Sequence, residues 1–531
     1  MTKASTLGLA LILLGGTASA AGLDADRRTM AFDALDMQKV AAEDALNDVK
    51  GTRYRFAIAH TVKINPAAHG AWTTHADGST SWTFDVDTPD AAHLNFGFEP
   101  FRLPDGARLS IVSPDGDKLT YDGDDATAGQ LWTAIVKGAT ARLTLDVPAG
   151  KAGDVELALR HVGHGYRGFG ATAKHCKSGA CNLDVACLAP DDPWNAQRRA
   201  AGTYTVGGRD TCSGSLVNNT ANDRRMLFAT ATHCGVSDDA IGASVVMYWN
   251  YESPTCRTPG SASSGQALPK PATSQSGARF LAATADFRTM PASAFNSDFT
   301  LLELTQQADP ALNLHWVGWD RRDAASHACA APADPAATDG LCASIHHPNV
   351  DEKRITFVEA DLARVDFDGG IASHYHANWD PTPPILPGIQ PPPASVVPNV
   401  TEPGSSGSPL FDAERRLVGV LSGGPSACGA TGANLSDYYG RLASAWEGGG
   451  TPQTAMKTHL DPVGGGAAQF LDDLGQCNAP AAPTNVAATA SGANAATVTW
   501  DAVPGISTYR VLRADGACPG GVYQRIGEVN N

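Results

Sequence analysis

None of the 11 cysteines in this 531-residue chain precedes Cys176. Basic charge is scarce as well: 39 Lys and Arg stand against 55 Asp and Glu, a net charge of −16. That balance excludes nucleic acid or an anionic membrane as the main partner and serves solubility. Long apolar runs are missing, since Leu7 to Leu14 is too short to span a bilayer. Metal-binding spacing is missing too. The adjacent His346 and His347 diverge on a strand and have no CxxC beside them, so no metal and no organic cofactor are expected.

What is present begins with an export signal. Lys3, the run Leu7–Leu14 and the small residues Ala18-Ser19-Ala20 predict a signal peptide over 1–20, cut before Ala21, and a secreted, extracellular protein without a membrane anchor. Export implies an oxidising compartment, so the cysteines read as disulfides; the odd number leaves one free, removed by processing or paired outside the chain. The length predicts two to four domains.

Residues 21–177 show short alternating segments (Phe56 and Ile58; Leu94, Phe96 and Phe98; Leu143, Leu145 and Val147) between turns such as Pro104-Asp105-Gly106, a β-sandwich pattern. The cysteine shift after Cys176 marks a domain boundary. Lys174-His175-Cys176-Lys177-Ser178-Gly179 reads as an exposed, cleavable junction. Residues 178–475 are again strand-rich, with a proline-rich surface loop over Asp380–Pro398 and a closing helix expected over Ala467–Leu474. From 480 to 531, Thr497-Val-Thr-Trp500 and Tyr509-Arg-Val-Leu512 resemble the early strands of a fibronectin type III module, of which about half would be present.

Three segments carry chemistry. In Thr401-Glu-Pro-Gly404-Ser405-Ser406-Gly407-Ser408-Pro409 a serine flanked by glycines sits on a tight turn, a way to present a nucleophile. His233 follows an apolar strand and precedes Cys234-Gly235. Asp298 stands at the mouth of the apolar run Phe299–Leu304. Taken singly these are a turn, a core histidine and a strand-starting acid; together they follow the His, Asp, Ser order of chymotrypsin-type proteases.

With Cys212-Ser-Gly-Ser-Leu-Val, His233-Cys-Gly, Ser297-Asp-Phe-Thr-Leu-Leu, Ile345-His-His-Pro and Ser436-Asp437-Tyr, residues 178–475 resemble the bacterial lysyl endopeptidases of the chymotrypsin-like clan, and the preceding region resembles their propeptide. The resemblance implies a double β-barrel and a proenzyme. Ser406 would be the nucleophile, His233 the base and Asp298 its orienting acid, with the backbone N–H groups of Gly404 and Ser406 forming the oxyanion hole. Asp437 would be the specificity carboxylate selecting Lys in protein or peptide substrates. It also implies the disulfides Cys181–Cys428, Cys187–Cys256 and Cys212–Cys234; Cys329 and Cys342 flank one loop and are expected to pair locally, and Cys477 and Cys518 stay open.

The sequence departs from the family at Ser422, where the family carries a His bordering the substrate subsites, and near Asp366-Phe367-Asp368, where its cleft Trp has no match. Strict Lys selection is therefore weighed against a trypsin-like Lys/Arg protease, and both against a catalytically idle adhesion protein. Animal trypsins carry an Asp before the nucleophile to receive the new N-terminus; Ser405 excludes that ion pair here. A monomer is expected, with its own propeptide as a partner. Self-processing is predicted at Lys177–Ser178, with Lys174 as the alternative. Edman sequencing of wild-type and Ser406→Ala protein should show the mature end only in the wild type; the same end in both would rule out self-cleavage.

Overall fold

A computed structural model describes residues 21–48, 50–169, 178–261, 271–323, 326–329, 338–389, 398–475, 483–492, 495–501, 508–514 and 523–530. The predicted signal peptide, the junction residues Lys174, Cys176 and Lys177, and Cys477 and Cys518 lie outside these residues. The chain divides into two compact units, Met1–Leu474 and Gly475–Asn531.

Within the first unit the N-terminal region is a β-sandwich. A seven-stranded sheet centred on Thr80–Asp87 and Thr140–Val147 faces a five-stranded sheet centred on His93–Arg102 and Glu156–Gly165. Alternation drives it: in Thr140–Val147, Ala141, Leu143, Leu145 and Val147 point inward and the residues between them do not. They pack with Trp82, Phe84, Phe96 and Phe98, each such side chain stabilising the fold by roughly 1.5–3 kcal/mol. Sequence alternation gave no sign of the helix Met37–Asn47, whose first turn is capped by the Asp36 carboxylate accepting from the amides of Gln38 and Lys39.

The remainder of this unit forms two larger sheets, the expected chymotrypsin-like double-barrel arrangement. One has eight strands, including Asp210–Leu216, Leu227–Ala231 and Phe299–Leu304; the other has eleven, including Leu417–Gly423 and Ser436–Arg441. Asp210–Leu216, Leu227–Ala231 and Leu417–Gly423 are buried along their whole length. The eighth strand of the first of these sheets comes from the N-terminal region: Tyr54–Arg55, paired with Asp210–Leu216. All four expected disulfides are formed: Cys181–Cys428, Cys187–Cys256, Cys212–Cys234 and Cys329–Cys342.

Two expectations are corrected. No helix covers Ala467–Leu474; Phe470–Leu471 is a strand paired with Trp319–Asp320. The Asp461 carboxylate accepts the amides of Gly464, Gly466 and Ala468 and fixes the loop that leads into this strand. The described part of the proline-rich segment forms no strand, as anticipated, but it is not simply a surface loop: Leu386 and Ile389 are buried in the core, and the Gly388 amide bonds the Cys187 carbonyl. In the second unit, Ala487–Gly492 pairs with Ala495–Thr499 and Thr508–Ala514 with Tyr523–Asn530, with the Trp500 and Tyr509 rings 5.2 Å apart.

A buried ionic cluster gathers Asp184, Asp351, Glu352 and Glu402 around Arg257 and Arg354. It holds the first described residues of the second segment: Asp351 accepts from the Ser178 hydroxyl and amide at 2.5 and 3.2 Å, and Glu402 accepts from the Gly179 amide at 2.8 Å. Burial, then the hydrogen bond and charge of Asp351, push the Glu352 carboxyl up to about 8. The folded chain therefore holds a proton that the unfolded chain releases near 4.5, so this group's stabilisation is complete below that pH and is lost as the pH rises through about 8. Calorimetric melting of the Ser406→Ala chain from pH 4.5 to 8 should show this decline, and adding Glu352→Gln should flatten it; parallel profiles would refute the assignment.

Candidate active site

His233 is set by the strand Leu227–Ala231, which ends in a single tight turn, Thr232–Cys234, tied to the neighbouring strand by Cys212–Cys234 and closed by Gly235 at φ 83°. Asp298 lies across from it at φ 55°, a left-handed conformation that aspartate tolerates better than most residues. Backbone bonds hold it there: its amide donates to the Ala285 carbonyl at 3.0 Å and its carbonyl accepts from the Thr232 amide at 2.9 Å. Its carboxylate takes the His233 amide at 2.9 Å and meets the ring Nδ1 at 2.7 Å. Both side chains are fully buried. This acceptor on Nδ1 selects the tautomer that leaves Nε2 free to take a proton.

Ser406 sits 2% exposed on a turn that requires its glycines. Gly404 and Gly407 have φ of 91° and 79°, and a Cβ on Gly407 would lie 2.2 Å from Thr230 Oγ1 and 2.5 Å from the Ser213 carbonyl. The Gly407 amide bonds the Leu421 carbonyl and the Ser406 carbonyl accepts the Ser213 amide, so the turn is stitched to both sheets. The Ser406 hydroxyl does not bond to His233. It donates to the Thr52 carbonyl at 3.5 Å, and His233 Nε2 is buried with no hydrogen-bond partner among the described residues.

Asp437, fully buried, is tied to Thr401 at the start of this turn. Its Oδ2 accepts from Thr401 Oγ1 at 2.7 Å, Ser426 Oγ at 2.6 Å and Trp379 Nε1 at 2.7 Å. Its Oδ1 receives the ammonium of Lys50 at 2.8 Å, and the same ammonium is 2.5 Å from Ser426 Oγ. Gly424 must be glycine, for a Cβ there would stand 2.3 Å from that Oδ1. Burial drives the Lys50 ammonium below the usual lysine range, opposed by the attraction of Asp437.

The remaining sequence candidates take supporting places. The Ser422 hydroxyl is 3.0 Å from Nε2 of the buried His374. Ser405 bonds His346 Nδ1 at 2.8 Å, and His347 Nδ1 meets the Asp351 carbonyl at 3.0 Å, so the two histidines diverge. Near the missing Trp, Phe367 stacks 4.2 Å from Tyr438 and lies 4.9 Å from Phe287, whose ring stands 6.3 Å from that of His233. Side chains of Cys212, His233 and Cys234 come within metal-ligand range of one another, but both sulfurs are spent in the disulfide.

Sequence reading missed Lys50, Trp379, Ser426 and Phe287. For Trp379 and Ser426 no local signal exists, because the contacts that matter join distant segments. Lys50 carried a faint one: a Lys-Gly pair in a short link just before an apolar strand.

Two family models match this chain, "Lysyl endopeptidase N-terminal domain" over 30–166 and "Lysyl endopeptidase, C-terminal domain" over 175–440. A lysyl endopeptidase of Pseudomonas aeruginosa is 28% identical over 401 residues, 71% of this chain and 75% of its own. Among solved structures, a Glu endopeptidase is 14% identical with a TM-score of 0.27, over 50% of this chain and 91% of that one. The HtrA-type protease AlgW is 13% identical with a TM-score of 0.24, over 46% and 58%. With both family domains present in order along one polypeptide, the chain belongs to the lysyl endopeptidase family and is a serine endopeptidase.

Proposed function

We propose that the chain is a secreted proenzyme that, once its N-terminal region is removed, hydrolyses peptide bonds on the carboxyl side of lysine. The observation that carries this reading is a lysine ammonium seated on Asp437 in a pocket next to Ser406. A carboxylate buried at such a depth costs several kcal/mol unless a cation enters, so the pocket favours a basic side chain. The bonding of Asp437 favours lysine over arginine. With Oδ2 already accepting three donors, one oxygen remains for the ligand, which suits a point charge and denies a guanidinium its two-oxygen grip.

In the reaction Ser406 Oγ attacks the carbonyl carbon after lysine while His233 Nε2 takes its proton. Asp298 fixes the imidazole and stabilises the imidazolium. The amides of Gly404 and Ser406 receive the oxyanion, each donor contributing roughly 3 kcal/mol. His233 then returns the proton to the departing amine, leaving an ester on Ser406 that water hydrolyses by the same steps in reverse. Secretion is supported by the N-terminal run and the four disulfides. No helix of the described residues is long and apolar enough to cross a membrane.

Lysyl and arginyl chromogenic esters offered to the matured enzyme test this directly. The lysyl ester should be strongly preferred, and Asp437→Asn should abolish the preference. Asp298→Asn should lower kcat by about 10⁴-fold with an unchanged fold. Equal turnover of both esters would reject lysine selection, and full activity of Ser406→Ala would reject the nucleophile.

A further inference from the structure

Different residues occupy the specificity pocket and face the nucleophile. The Lys50 side chain, 4% exposed, reaches Asp437, but the carbonyl facing Ser406 belongs to Thr52. The backbone fits this offset at each step. Lys50 lies along Gly423, where a Cβ would stand 3.4 Å from the Lys50 carbonyl oxygen. Gly51, at φ 88°, lies where a Cβ would meet both Phe287 and the Ser422 carbonyl at 3.0 Å, so a side chain there would be crowded as well as strained. On the far side of Ser406, Arg53 lies 3.6 Å from Asp210, and Tyr54 and Arg55 pair with Thr211 and Asp210 as an added strand.

This segment is clamped at both ends by the N-terminal domain. Asp48 receives both terminal nitrogens of the buried Arg167 at 2.7 Å, and that guanidinium lies 3.9 Å over the Tyr54 ring. Arg55 bonds Asp44 and Glu43 on the helix Met37–Asn47. With Asp48 and Arg55 fixed, the links between them cannot slide along the cleft.

We propose that the N-terminal domain keeps its protease shut with an occupant held two residues out of register: Lys50 satisfies the pocket while the bond after Thr52, which the pocket does not read, lies at Ser406. This rests on the catalytic reading given above. An occupant in the productive register would place the lysine carbonyl carbon itself at attack distance. Here the Ser406 hydroxyl spends its proton on the Thr52 oxygen, and His233 Nε2 is left without a partner. The pocket is filled by the side chain it prefers, and no cut follows.

Occupancy can be read without activity. In the full chain carrying Ser406→Ala, acetylation of lysine amines followed by mass spectrometry should leave Lys50 unmodified while the exposed Lys63 reacts, and adding Asp437→Asn should open Lys50 to the reagent. With Ser406 intact, no peptide ending at Lys50 should appear while the N-terminal domain stays bound. Lys50→Met should shorten the lag before lysyl-ester hydrolysis about tenfold or more, whereas Lys63→Met should not. The register is read by the double variant Lys50→Met, Thr52→Lys, which should be cut after position 52. Acetylation of Lys50 as fast as Lys63, prompt cutting after Lys50 in the wild type, or no cut in the double variant would overturn the proposal. A protected Lys50 in an enzyme that never hydrolyses the ester would support the occupancy and count against the catalytic reading instead.

Discussion

A single carboxylate taken out of water organises this molecule. Asp437 is reached by donors from three separate places: Thr401 at the start of the serine turn, Ser426 just past the strand Leu417–Gly423, and Trp379 at the end of the strand Gly370–Asn378. Leaving any of those bonds unmade would strand a buried charge. The serine turn and the pocket wall are thereby referenced to one point. The ammonium of Lys50 completes the set, and with the strand Tyr54–Arg55 it joins the N-terminal region to these sheets.

The groups proposed for catalysis divide between those already in place and one held back. His233 and Asp298 are joined across two strands, with their hydrogen bond formed and water excluded. Ser406 is positioned by its glycines and by bonds to both sheets, but its hydroxyl points elsewhere. Withholding a hydroxyl proton is a small geometric change, and that is why it suits a latent enzyme: the costly ordering of backbone is complete before the cleft opens.

How much of this was legible in the sequence depended on the range of the interaction. The Gly404–Ser408 turn, the His233-Cys234-Gly235 corner and the strand after Asp298 are local patterns whose physics is visible in a few residues. Alternation over 21–177 was enough for a sandwich. Three of the disulfides came through the family resemblance, and Cys329–Cys342 from the one loop its cysteines flank. The closing helix failed because Phe470–Leu471 pairs as a strand with the distant Trp319–Asp320, a tertiary partner that outweighs local propensity. Lys50 was out of reach for a stronger reason. Its meaning depends on a partner 387 residues away and on an offset of backbone register that no sequence window contains.

The Lys50–Asp437 pair also ties together two distant parts of one gene. Under the lysine-selective, self-restrained reading proposed above, a lineage drifting toward another substrate by changing the pocket would lose its own restraint in the same step, unless position 50 changed with it. Preference for the outside world and control over the enzyme at home are thus inherited as one character.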